Sequence, residues 1–119
     1  MSRRTAVMPE PQAALVERVR ARLADEPTRE VAMFGGRAFM VRGAMAVSAW
    51  RDGSLLVRVA DDAGPALQQR PGAAQALMGE RDMGPGWLTV DAEALADEPA
   101  LTTWIGIALD HNRTVTGDP

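Results

Sequence analysis

Between Val31 and Val59 the chain alternates β-forming residues with the turn dipeptides Gly35-Gly36, Arg42-Gly43 and Asp52-Gly53. Strands so close in sequence pair antiparallel, so this punctuation limits the fold more than any other feature. Asp52-Gly53 is the strongest hairpin signal, because a tight primed turn favours residues that tolerate positive φ. It joins a strand over Ala44–Trp50 to one over Ser54–Ala60. In the second strand Leu55, Val57 and Val59 make one face and Leu56, Arg58 and Ala60 the other, the alternation of a sheet fully covered on one side. Apolar parity shifts across Gly35-Gly36, which reads as a bulge inside one strand from Val31 to Val41 rather than as a turn.

Helices flank this region. Pro11 suits a first helical turn, and Leu15, Val16, Val19 and Leu23 then fall on one face, with Glu17, Arg18 and Arg22 pointing away. The helix runs to about Ala24, and Asp25, Glu26 and Pro27 end it. Asp61-Asp62 can cap a short helix that carries Pro65 in its first turn and ends near Arg70-Pro71-Gly72. Strands at Ala74–Met78 and Trp87–Val90 are separated by a turn segment ending in Gly84-Pro85-Gly86. After Asp97, Leu101, Trp104, Ile105, Ala108 and Leu109 make the clearest amphipathic helix. From Thr114 onward the pattern lapses, so a frayed tail is expected, matching a mobile leader over residues 1–9. The order α-β-β-β-α-β-β-α, without βαβ alternation, predicts a two-layer α+β fold with an antiparallel sheet. The 119 residues are expected to form a single domain with an ordered core over 11–113 and flexible ends.

Composition narrows the chemistry. The chain has no cysteine and no lysine, so disulfides, thiolate metal sites, Schiff bases and a P-loop lysine are excluded. Every basic side chain is an arginine, and the net charge of −3 argues against direct nucleic-acid binding. No apolar run reaches membrane-spanning length, and a soluble cytoplasmic protein is expected. His111 is the only histidine, and the only serines are Ser2, Ser48 and Ser54, so no nucleophilic triad is recognisable. No catalytic residue, metal or cofactor is therefore expected. Asp61-Asp62, and Asp91 with Glu93, read as helix starts rather than as an acid–base pair. Arg3, Arg4, Arg18, Arg20 and Arg22 are interleaved with acids and read as solvated surface.

Arg58, within LLVRVA, must lie on the less-covered sheet face or pair with a carboxylate. With Arg37 and Arg81 it forms the candidate interaction or ligand site, able to hold an anion if the three converge. Met33, Met40, Met45, Met78 and Met83 are expected first as core and second as an adaptable contact surface.

The segments MFGGRAFMVRGAMAV, SLLVRV, GERDMGPGW and LTTWIGIAL, in this order, resemble the N-terminal domain of the TfoX/Sxy family over about residues 12–112. The resemblance carries onto Met33, Phe34, Gly35, Gly36, Arg58, Arg81, Trp87 and Trp104, most of them explicable as fold determinants. It implies a fold similar to type III secretion chaperones. It also implies a non-enzymatic regulatory or protein-interaction domain, since the founding members look like competence regulators that act with a transcription factor. Their additional C-terminal helical domain is not expected here. A methyltransferase label carried by some relatives finds no glycine-rich methyl-donor loop in this chain. The expected partners are proteins, a second copy of the chain included; the competing function is a small-molecule binder or enzyme using the arginine-bearing sheet face. A flat apolar patch would favour the first and an enclosed arginine-lined pocket the second.

Overall fold

The structure, a computed structural model, describes residues 8–117. The leader expected over residues 1–9 lies almost wholly outside them, as do Arg3 and Arg4. Helix α1 (Glu10–Arg22) is followed by β1 (Thr28–Met33), β2 (Gly36–Val41), β3 (Ala44–Ala49) and β4 (Leu55–Arg58). A 3-10 turn (Asp61–Ala63) leads into α2 (Gly64–Leu67), then β5 (Ala73–Gln75), β6 (Leu77–Met78), β7 (Arg81–Asp82) and β8 (Trp87–Val90). Two helices close the chain, α3 (Ala92–Leu95) and α4 (Glu98–Thr116). The fold is α+β, with an antiparallel six-stranded sheet in the order β1-β2-β3-β4-β8-β5 and a separate β6-β7 hairpin.

The Gly35-Gly36 expectation is corrected. Met33 pairs with Gly36, so Phe34 and Gly35 are the two central residues of a hairpin turn, both at positive φ. The strand expected over Val31–Val41 is thus two strands. Arg42-Gly43 makes a second turn of this kind, between Val41 and Ala44. Asp52-Gly53 does mark a hairpin, but of another type. Only Gly53 has positive φ, and the turn closes through Gly53 N–H donating to the Trp50 carbonyl. The Asp52 carboxylate accepts from both the backbone N–H and the hydroxyl of Ser54, which holds its pKa below the usual range. The bulge itself lies between Phe39 and Met40.

Alternation then decides which face is covered. Phe39, Val41, Val47, Ala49, Leu55, Val57, Leu88 and Val90 face Leu15, Val16 and Val19 of α1, Leu95 of α3, and Leu101, Trp104 and Ile105 of α4. Two buried amides staple the helices to the strand ends. Gln12 donates to the carbonyls of Gly35 and Ala49, and Asn112 to those of Val41 and Ala44. Asp91 and Asp97 cap α3 and α4 through the backbone N–H of Ala94 and Ala100. Asp61 and Asp62 make no such cap; Asp61 pairs with Arg58 instead.

Two further expectations change. Arg18 and Arg22 are only partly exposed and bridge to Glu98 at the start of α4, holding its pKa low. The last helix continues past Thr114 to Thr116 and ends on Gly117 in the left-handed region, while residues 118–119 lie outside the described chain. Among the described residues no helix is long and apolar enough to cross a membrane.

Candidate functional site

Among the described residues no helix packs on the other face of the sheet. Met33, Met45, Ser48, Trp50, Leu56 and Trp87 line it, and the β6-β7 hairpin adds Met78 and Met83 as a wall. With Phe34 these residues enclose a groove of about 200 Å³ whose lining is apolar except for Ser48. Phe34 is 73% and Met78 40% exposed, and Leu77, on the other face of the hairpin, is 57% exposed, so these large apolar side chains lie at the surface rather than in the core. The expectation that the methionines are core is therefore corrected: Met33, Met40, Met45 and Met83 are only half-buried, and none belongs to the core cluster.

The local sequence explains the shape. Gly36 has no side chain because a Cβ there would come within 2.8 Å of the Ser48 hydroxyl and 3.1 Å of the Trp50 ring, so the glycine lets Trp50 lie across the strand. Gln75 donates from its amide to the carbonyls of Gly84 and Trp87, which ties the base of the hairpin wall to the sheet. Trp87 is fixed from its other side by Arg58, whose guanidinium sits 5.0 Å from the ring centroid.

Arg58 also reaches Asp61 at 3.3 Å, passing over Gly86, where any Cβ would collide with both groups. The carboxylate pairing expected from the sequence is present, and so is the placement on the less-covered face. Beyond Arg58, at the end of the sheet, an open cleft of about 620 Å³ is lined by Asp61, Asp62, Asp110, His111 and Thr114. The buried Nε2 of His111 has no hydrogen-bond partner among the described residues. Burial, and secondly the Arg58 charge, push the His111 pKa down from its ordinary value despite Asp61, which favours the uncharged imidazole.

Arg37, Arg58 and Arg81 do not converge. Arg37 lies on the helix-covered side, paired at 3.0 Å with Glu30, which also binds Arg20 of α1. Those two guanidiniums, Arg20 foremost, hold the Glu30 carboxyl below its usual range. Arg81 is exposed on the hairpin opposite Met78. Among the described residues no group of three or more His, Cys, Asp or Glu side chains could hold a metal ion.

Sequence reasoning placed Met33, Phe34, Gly35, Gly36 and Trp87 among fold determinants; all but the glycines line the groove. Trp104 is the exception, buried between α4 and the sheet. Trp50 and Leu56 were missed as groove residues, although their alternation with Ala49 and Leu55 was a readable signal.

An antiparallel sheet with helices on one face and an open apolar groove on the other defines a small two-layer α+β domain. The chain matches the TfoX N-terminal domain over residues 21–112, and it belongs to that family. No curated protein and no solved structure matches it.

Proposed function

We propose that this is a non-enzymatic regulatory domain that works by holding a partner protein on the open face of its sheet, in the cytoplasm. The observation that carries this function is the groove between the hairpin wall and Phe34, lined by Met, Trp, Phe and Leu. Burying one such side chain against a partner contributes about 1.5–3 kcal/mol. Flexible thioethers also let one groove adapt to the shape presented to it. Family membership supports a regulatory role. Phe34 and Met78 are exposed enough to be changed without disturbing the core. Affinity capture from a native lysate with the parent and with Phe34→Asp/Met78→Asp is the test. A polypeptide retained by the parent and lost from the variant is the expected result; recovery of the same proteins by both would exclude the groove.

A second function, anion binding, rests on Arg58 and His111 lining the same cleft, against the carboxylates of Asp61, Asp62 and Asp110 that line it too. Melting-temperature shifts with a panel of inorganic and carboxylic anions, present in the parent and absent from Arg58→Ala, would establish it. No shift with any anion would exclude it.

A further inference from the structure

Resting on the docking function proposed above, we infer that the groove takes an acidic amphipathic helix. The distribution of unpaired charge points to this partner. On the helix-covered side Arg18, Arg20, Arg22, Arg37 and Arg113 each meet a glutamate. On the open face Arg58 meets Asp61, and three other cations are left over. Arg29 pairs in register with Met40 and so lies on the open face, while Arg81 stands opposite Met78 on the hairpin. The Arg51 stem runs 3.7 Å from the Cβ position of Gly35, beside Phe34. None of these three has an ion-pair partner among the described residues. Asp82 shares the hairpin face of Leu77 rather than that of Met78, and accepts from the Gly84 N–H. Glu80 stands at the hairpin tip.

A chain of net charge −3 thus keeps unneutralised Arg51 and Arg81 beside its apolar groove and Arg29 on the same sheet face, which favours a partner carrying acid beside an apolar stripe. The backbone decides the partner's conformation. Under the groove, β2, β3, β4 and β8 are paired on both sides, so the sheet face offers an incoming chain no free N–H or C=O. A segment lying across this face must satisfy its own backbone, as a helix does, whereas an extended strand can pair only along an edge such as the outer side of β1 or of the β6-β7 hairpin.

The test is selection of a phage-displayed library of helical peptides, each about five turns long, on the intact protein. Enriched peptides should carry apolar residues at i, i+3, i+4 and i+7 with acidic flanks. Arg29→Glu/Arg81→Glu should weaken the best of them by about tenfold or more, added salt should weaken it too, and Arg70→Glu, on the other side of the domain, should not. Neutral or basic peptides that are lost on Phe34→Asp/Met78→Asp would overturn the acidic helix and leave the docking function standing. Peptides indifferent to Phe34→Asp/Met78→Asp would overturn both. A dimer in sedimentation that this double variant dissolves would replace the helix by a second copy of the chain.

Discussion

Phe34 adopts φ of 53° with its ring 73% exposed, a bulky side chain held in the left-handed region where asparagine or glycine sits with less strain. Neither its backbone nor its burial stabilises the fold, and the docking function proposed above gives its ring a role at the groove. Phe34→Asn should therefore raise stability in urea by about 0.5–1 kcal/mol while weakening partner capture. A variant that loses both would return Phe34 to a structural role. His111 tests a different property. Its folded pKa lies below 6.5 because burial, and then Arg58, disfavour the charged ring. The group's contribution is therefore fully present above the unfolded pKa and is lost as pH falls through the folded one. Stability measured from about pH 7 down to pH 5 should fall in the parent and stay flatter in His111→Gln. Equal slopes would place the imidazole in water. The existence of these residues was plain in the sequence, but the strain at Phe34 was not. The pair Gly35-Gly36 draws attention to itself, whereas the turn is built on Phe34 and Gly35, and only the register of Met33 with Gly36 reveals it.

At the scale of elements, local pattern and tertiary contact contributed unequally. The stripe Leu101, Trp104, Ile105, Ala108 and Leu109 was legible because helical periodicity is carried within one segment, and each of these side chains is buried. Trp104→Ala should cost about 3–5 kcal/mol in chemical denaturation; a variant as stable as the parent would contradict the packing of α4. Asn112 was not legible. It lies on the same helix, yet its importance comes from the carbonyls of Val41 and Ala44, far away in sequence. Asn112→Ala leaves those groups without the amide, and a loss of about 1–3 kcal/mol is expected. No loss would mean that other donors replace it. The arginines of α1 escaped for the same reason: Arg18 and Arg22 look solvent-directed by periodicity alone, and only the nearness of Glu98 draws them in.

For the whole molecule, what counts is the asymmetry between the two faces of the sheet. One face meets three helices and forms a continuous core; the other keeps Met, Trp and Phe side chains at the surface, with Arg51 and Arg81 beside them. The α+β class and the antiparallel sheet could be read from turn spacing, and the covered face of β4 from its alternation. The methionines could not be assigned, because an apolar residue on a strand reads alike whether a helix or solvent lies above it. That the helices all take one side is settled only by packing. The central claim is that the open face is where this domain meets a protein. Photo-crosslinking in the native host measures it directly, with a photoreactive residue placed at Phe34 or Met78 on the groove and at Thr103 on the exposed side of α4. A discrete crosslinked polypeptide from Phe34 and Met78, and none from Thr103, is the predicted result. Crosslinks from Thr103 with silence at both groove positions would contradict it.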